Sequence, residues 1–126
     1  MCIRDRLYPG TAPEAAAESW LARGPGLVVV TKGHDGSIGL TAGDRVDVRG
    51  MSVDVSDTVG AGDAFTSALL ASLHASGRLD RAGLRAIPPD ALRECLAFAN
   101  RVAAITCTRA GAQPPTRTEM DTASVA

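Results

Sequence analysis

Residues 57–70 read DTVGAGDAFTSALL, and the parsing of this string decides the fold. Gly60-Ala61-Gly62 is a loop of small residues that runs straight into Asp63 and then into a segment with helical spacing. Such a junction brings free backbone N–H groups, a helix N-terminus and a carboxylate close together. Free amides and the positive end of a helix dipole suit a phosphate. A carboxylate beside a phosphate repels it, so mere binding does not call for one. It fits a site where Asp63 takes a proton from an incoming hydroxyl, which points to phosphoryl transfer to an alcohol. On its own, GAGD is also compatible with a tight turn whose aspartate caps the helix.

Working outward, the helix is expected over residues 61–75, with Gly77 as its stop. Phe65, Leu69, Leu70 and Leu73 supply its apolar side, and Ala64, Ala68 and Ala71 allow close packing. Upstream, residues 11–23 have a helical pattern with Thr11 and Glu14 spaced as a capping box. Gly24-Pro25-Gly26 ends that helix, and Leu27-Val28-Val29-Val30-Thr31 reads as a strand buried on both faces in a parallel sheet. A polar turn at 32–36 leads to a hairpin, with Ile38 and Leu40 on one arm, Val46 and Val48 on the other, and Ala42-Gly43-Asp44 between them. Val53 and Val55 continue an extended path into Asp57. Downstream, Pro88-Pro89-Asp90 opens a second long helix with Asp90 as N-cap, and Leu92, Leu96, Ala99, Val102 and Ala103 recur along it. Residues 108–112 end it, and Gln113-Pro114-Pro115 leads into an irregular tail. The class is α/β, with the glycine loop at a strand-to-helix junction.

The chain has 126 residues, 45% apolar and 21% charged, which suits one soluble domain with a real core. A net charge of −1 and 3% aromatic residues leave no footprint for nucleic acid or for an anionic membrane surface. No apolar run approaches the roughly 20 residues of a membrane span, and the start has no secretory signal. Cys2, Cys95 and Cys107 lack the spacing of a disulfide framework or zinc site, and read as small hydrophobes in a reducing cytoplasm. The loop lacks the Gly-Lys-Ser/Thr ending of a P-loop and the spacing of a dinucleotide fingerprint. A hydrolase would need a nucleophile with a nearby base. Thr58 has no adjacent histidine, and His34 and His74 are far apart in sequence.

The longer string Asp57-Thr58-x-Gly60-Ala61-Gly62-Asp63-x-Phe65-x-x-Ala68-Leu69 resembles the C-terminal signature of the PfkB, or ribokinase-like, family of carbohydrate kinases. Residues 29–37, VVTKGHDGS, resemble the strand and turn that precede this signature. Ala99-Asn100-x-x-Ala103-Ala104 through Arg109-x-Gly111-Ala112 resembles the closing helix and loop. The likeness runs from about Leu7 to Met120. It implies the C-terminal part of a three-layer α/β/α fold with a β-hairpin, here residues 7–120. Residues 1–6 are then expected to be a non-native or disordered leader, and residues 121–126 a disordered tail.

By this resemblance Asp63 is the general base, and Gly60, Ala61 and Gly62 precede it as an anion hole. Thr31, Lys32, Gly33, His34, Asp35 and Gly36 are expected to meet ATP, together with Gly62 and Asp63. Lys32 and His34 also fit a solvated lysine and an ordinary turn residue. Asn100 is expected beside the adenine or ribose, although a locally satisfied amide fits its position too. Family members bind Mg2+, and several bind K+ through backbone carbonyls. The matching positions are Asp57, Val59, Thr106, Arg109, Gly111 and Pro115, where proline replaces a better hydroxyl ligand. The implied whole protein is a cytoplasmic, ATP-dependent sugar kinase, fructokinase-like, acting on a small-molecule sugar as a homodimer, with no nucleic-acid or membrane partner. The family's N-terminal glycine signature and acidic motif are missing from this sequence. The 126 residues are therefore expected to lack the sugar-binding part and to have little activity alone. The alternative is a non-catalytic module that binds nucleotide or is inert.

Overall fold

A computed structural model describes residues 6–122. A three-stranded antiparallel sheet lies between helices on both of its faces. Helix α1 (Pro13–Leu21) covers one face, and the sheet follows as β1 (Val28–Thr31), β2 (Ser37–Leu40) and β3 (Arg45–Val48). Helix α2 (Ala61–Ala75), the short α3 (Arg81–Arg85) and the long α4 (Pro89–Cys107) come next, and α5 (Arg117–Thr122) closes the described chain. Helix α4 packs on the second face of the sheet, and α2 packs on α4.

Alternation along the strands sorts the side chains between two cores. Val28, Val30, Ile38 and Leu40 meet Ala17 and Leu21 of α1. Val29, Val46 and Val48 point the other way, into the core built on α2 and α4. Gly39 sits under α4, where a Cβ would stand 3.0 Å from Leu92 Cδ2 and 3.2 Å from Leu96 Cδ1. Leu92 and Leu96 are fully buried, so any side chain at residue 39 would press these leucines away from the sheet.

Several expectations are corrected. β1 is an antiparallel edge strand and only half-buried, with Val28 opposite Leu40 and Thr31 opposite Ser37. The reason lies in its connection. The chain returns to β2 through one short 3-10 turn, Gly33–Asp35, and a parallel neighbour would need a crossover of a dozen or more residues. The hairpin is as expected, with the Asp44 N–H donating to Thr41 Oγ1 at 3.2 Å inside its turn.

Thr11 does not cap α1. Ala12 is the N-cap with no side-chain bond, and Pro13 opens the helix. Asp90 is likewise not an N-cap, since Pro88 holds that position and Pro89 is the first helical residue. In both cases proline's fixed φ sets the start of the helix, moving the N-cap one residue past Thr11 and two residues ahead of Asp90. Leu70 and Ala71 are exposed, whereas Phe65, Leu69 and Leu73 are buried. Leu70 is about 100° around the helix from Leu69 and so leaves the packed stripe.

Helix α2 ends as expected. Gly77 has φ 69°, and the Arg78 and Gly77 amides donate to the Leu73 and His74 carbonyls at 2.9 and 3.0 Å. The irregular tail is in part a helix. Thr116 and Glu119 form a capping box at the start of α5, and Asp121 and Thr122 are its last residues. Residues 1–5 of the expected leader at 1–6, and 123–126 of the expected tail at 121–126, lie outside the described residues. Cys95 is buried, and Cys107 is half-buried. Among the described residues, no helix is long and apolar enough to cross a membrane.

Candidate active site

The chain reaches α2 through an extended segment held at the end of α4. The Ser56 and Asp57 amides both donate to the Cys107 carbonyl, at 2.8 and 3.1 Å. Gly60 then turns into the helix with φ 79° and ψ 0°, and no side chain caps it. Only glycine enters this left-handed region freely, and a Cβ there would also stand 2.7 Å from the Ala112 Cβ.

Three amides follow at the helix N-terminus. The Ala61 N–H donates to the Thr58 carbonyl at 3.2 Å. Among the described residues, nothing accepts from the Gly62 or Asp63 amides. In the amide-lined loop expected from the sequence, the Gly62 and Asp63 amides are free donors and Ala61 is committed within the loop. The Asp63 side chain is exposed rather than turned into the core, and the amides before it belong to no sheet ladder.

A cleft of about 350 Å3 runs from this loop to the turn after β1. Thr31, Gly33, His34 and Gly36 line one end, Thr58, Ala61 and Gly62 the other, and Asn100 lies between on α4. The turn comes close because two glycines cross. A Cβ on Gly36 would overlap the Val48 carbonyl, and one on Gly50 the His34 carbonyl. Met51, Val53, Val55, Ala103, Ala104 and Cys107 form an apolar wall. Sequence reasoning did not assign that wall to a site. Its signal was present as period-two spacing at Met51, Val53 and Val55, but an extended segment outside any sheet gives no hint of which side it lines.

Two residues of the turn stand apart from the cleft. Lys32 Nζ bonds both oxygens of Asp47 on β3, at 3.1 and 3.3 Å, and neither Lys32 nor Asp35 lines the cavity. His34 does line it, with Nε2 3.2 Å from Asp35 Oδ1. Asn100 lines the cleft, but its polar atoms are engaged. Its Oδ1 accepts from Ser37 Oγ at 3.1 Å, and its Nδ2 donates to the Val48 and Arg49 carbonyls at 3.4 Å each.

Asp63 lines a second cleft, with Gly60, Ser67, Phe98, Pro115 and Arg117. The glycine loop thus contributes to both clefts, through Ala61 and Gly62 to the first and Gly60 and Asp63 to the second.

Of the six carbonyl-bearing positions, Asp57 and Val59 lie on the loop before α2, Thr106 in the last turn of α4, and Arg109, Gly111 and Pro115 on the loop that follows it. Asp57 Oδ1 accepts from the Val59 amide at 3.0 Å, and Oδ2 accepts from the Gly111 amide at 3.1 Å. These amides, Val59 first, hold the Asp57 carboxyl below the usual carboxylate range. The Thr106 carbonyl accepts from the Arg109 amide at 3.2 Å, and the Gly111 carbonyl from Gln113 at 3.0 Å. Each retains a second lone pair. Among the described residues, no group of three or more His, Cys, Asp or Glu side chains could hold a metal.

Comparison with known proteins bears on this arrangement. Residues 9–119 match the profile of the pfkB family carbohydrate kinases. A fructokinase of Rhizobium leguminosarum bv. trifolii is 42% identical over 80 residues, which are 64% of this chain and 24% of that protein. Aminoimidazole riboside kinase from Salmonella enterica, solved with aminoimidazole riboside and an ATP analogue, superposes with a TM-score of 0.76. It is 27% identical and covers 94% of this chain and 38% of its own. A fructokinase double mutant from Vibrio cholerae O395, solved with fructose, ADP and potassium, gives a TM-score of 0.75 at 25% identity, over 94% of this chain and 36% of its own. The chain thus spans about a quarter of the length of the curated relative and over a third of each solved one.

Proposed function

The chain belongs to the pfkB family of carbohydrate kinases, and on that premise we propose that it supplies the nucleotide cleft and the base of an ATP-dependent, fructokinase-like sugar kinase. The reading is supported above all by one juxtaposition. A glycine turn and Gly62, whose amide is free, line one cleft, and Asp63, the next residue along the loop, lines a neighbouring cleft with its carboxylate exposed.

In this reading the apolar wall takes the adenine and the turn at 31–36 takes the ribose and phosphates. The Gly62 and Asp63 amides donate to the oxygens of the migrating phosphoryl group as charge builds on them. Asp63 accepts the proton of the sugar hydroxyl whose oxygen attacks the phosphorus. A carboxylate is a weak base, and it need only take the proton late, when the alcohol has become acidic.

A divalent cation neutralises phosphate charge in such a transfer. The described side chains do not form a cage for one, so Mg2+ is read as arriving on the nucleotide. The carbonyls of Asp57, Val59, Thr106, Arg109, Gly111 and Pro115 would hold K+. Their loops fit that role in so far as Asp57 draws 57–59 and Gly111 within one hydrogen bond of each other.

The acceptor has little to hold it within these residues. Ser67, Arg117 and Asp63 itself are the polar side chains of a second cleft otherwise walled by apolar groups and glycine. Residues 7–120 are therefore read as the catalytic part of a larger, cytoplasmic and homodimeric kinase whose sugar contacts lie elsewhere. The 126-residue chain alone is expected to bind ATP without sugar turnover. Calorimetric titration with ATP, with and without potassium, tests the first half, and no heat of binding in either would refute it. Asp63→Asn in the full-length polypeptide tests the base. The expected fall in kcat is about 100-fold or more, and turnover within a factor of two of the parent would defeat the assignment.

A further inference from the structure

Helix α2 begins without a side-chain cap, so something else must fix the direction in which its first amides point. A loop of small residues otherwise samples many conformations, and a donor that wanders is a poor stabiliser of developing charge. Two contacts reach this loop from the segment after α4, and a third lies within the loop itself. One Asp57 carboxylate oxygen accepts from Val59 at 3.0 Å and the other from Gly111 at 3.1 Å, so a single side chain joins the two loops. Ala112 then stands as a wall against Gly60.

The segment bearing Gly111 and Ala112 is braced from behind. Arg109 Nη1 donates to the Gln113 and Pro114 carbonyls at 3.4 Å each, and Nη2 to Glu119 Oε1 at 3.0 Å. Glu119 is held in turn by the Thr116 amide. The brace therefore runs from α5 through Arg109 to the loop, and from the loop through Asp57 to the glycines.

We propose that the Asp57 side chain is a positioning residue of the kinase, latching the loop at 109–115 onto the glycine loop so that the Gly62 and Asp63 amides are presented in one geometry. Arg109 and Glu119 stiffen the far side of that latch. The inference rests on the reading of those amides as the phosphoryl-binding element. It concerns the carboxylate, and is separate from any ligation by the Asp57 main-chain carbonyl, which survives substitution of the side chain.

The test uses the full-length polypeptide at saturating potassium. Asp57→Asn keeps the size but replaces one acceptor oxygen with a donor. Its kcat is expected to fall about tenfold to 100-fold with the KM for ATP changed less than threefold. Amide exchange at Val59 and Gly111 should quicken at least about fivefold. Glu119→Gln, which keeps the fold of the glycine loop, should give a smaller fall in kcat in the same direction. A folded Asp57→Asn protein with parental kcat would overturn the proposal. If Asp57→Asn does not fold, unchanged kcat and Gly111 exchange in Glu119→Gln overturn it instead. Asp63→Asn run in parallel separates the causes. A dead Asp63→Asn beside a fully active Asp57→Asn sinks the latch alone, whereas parental activity in both sinks the site reading as well.

Discussion

Asn100 stands in the wall of the cleft, yet its bonds are all to its own chain. It accepts from the fully buried Ser37 and donates to two carbonyls at the end of β3, so one amide pins β2 and β3 to α4. A polar group in this position must find partners or cost the fold dearly. Asn100→Ala is therefore expected to lower stability by about 2 kcal/mol, read as a shift in denaturation midpoint. Asn100→Ala with Ser37→Ala should cost less than the two single changes added, because the second removes a hydroxyl already orphaned by the first. Additive costs would mean that the two side chains do not share a bond. The sequence marked Asn100 as a polar break in an apolar pattern, and that much was legible. Its partners were not, because Ser37 lies 63 positions away and β3 more than 50, and pairing at such separations is fixed only by register. Lys32 is a similar case, since its tie to Asp47 depends on β2 and β3 aligning two strands away.

Helix identity was readable wherever the chain carried a long periodic stripe, as in α2 and α4, whose cores rest on Phe65, Leu69, Leu73, Leu92 and Leu96. Short helices were not, because α3 and α5 bury too little for a stripe to show. α3 buries no residue and depends on Asp80 accepting from the Gly83 amide at 2.6 Å. α5 buries Met120 alone and depends on its capping box. The Thr-x-x-Glu signal at 116–119 was in the sequence, masked by the prolines just before it. That box makes α5 sensitive to acid. The Thr116 amide first, then its hydroxyl and Arg109, hold the Glu119 carboxyl below the usual glutamate range. A lowered folded value means that the stabilisation is fully present above the ordinary glutamate pKa and is lost as pH falls through the lowered one. The carboxyl carbon of Glu119, followed by NMR, should titrate below that of an unstructured glutamate peptide, with the Thr116 amide shifting at the same midpoint. A midpoint at or above the peptide's would show that the box is not closed in solution.

The three-layer order followed from the run of elements, but the state of the sheet's edges did not, because edges depend on what lies beside them. Among the described residues, β1 and β3 each pair on one side only. β1 is three half-buried valines and an exposed threonine, and among the described strands it pairs with β2 alone. Such an edge, without charge or proline of its own, is a template for another strand. Nearby chemistry does not blunt it, since the charged residues of the sheet, Arg45 and Asp47, lie on β3 at the opposite edge. Exposed Val55, Val59, Leu70 and Leu79 add apolar surface around the α2 side of the molecule. In relatives about four times as long as the stretch matched here, that edge and surface have far more chain available to cover them. The isolated chain is therefore expected to self-associate at micromolar concentrations, with a sedimentation coefficient that rises with concentration and an amide-exchange protection at Val28, Val29 and Val30 that rises with it. A second measurement separates edge pairing from general stickiness. Strand pairing should protect the β1 amides and leave those of α2 unchanged, whereas association through Leu70 and Leu79 should do the reverse. A monomer with unprotected β1 amides throughout the range would mean that the valine edge is not a template, and that the chain keeps its sheet closed by twist and by the turn at 33–35 alone.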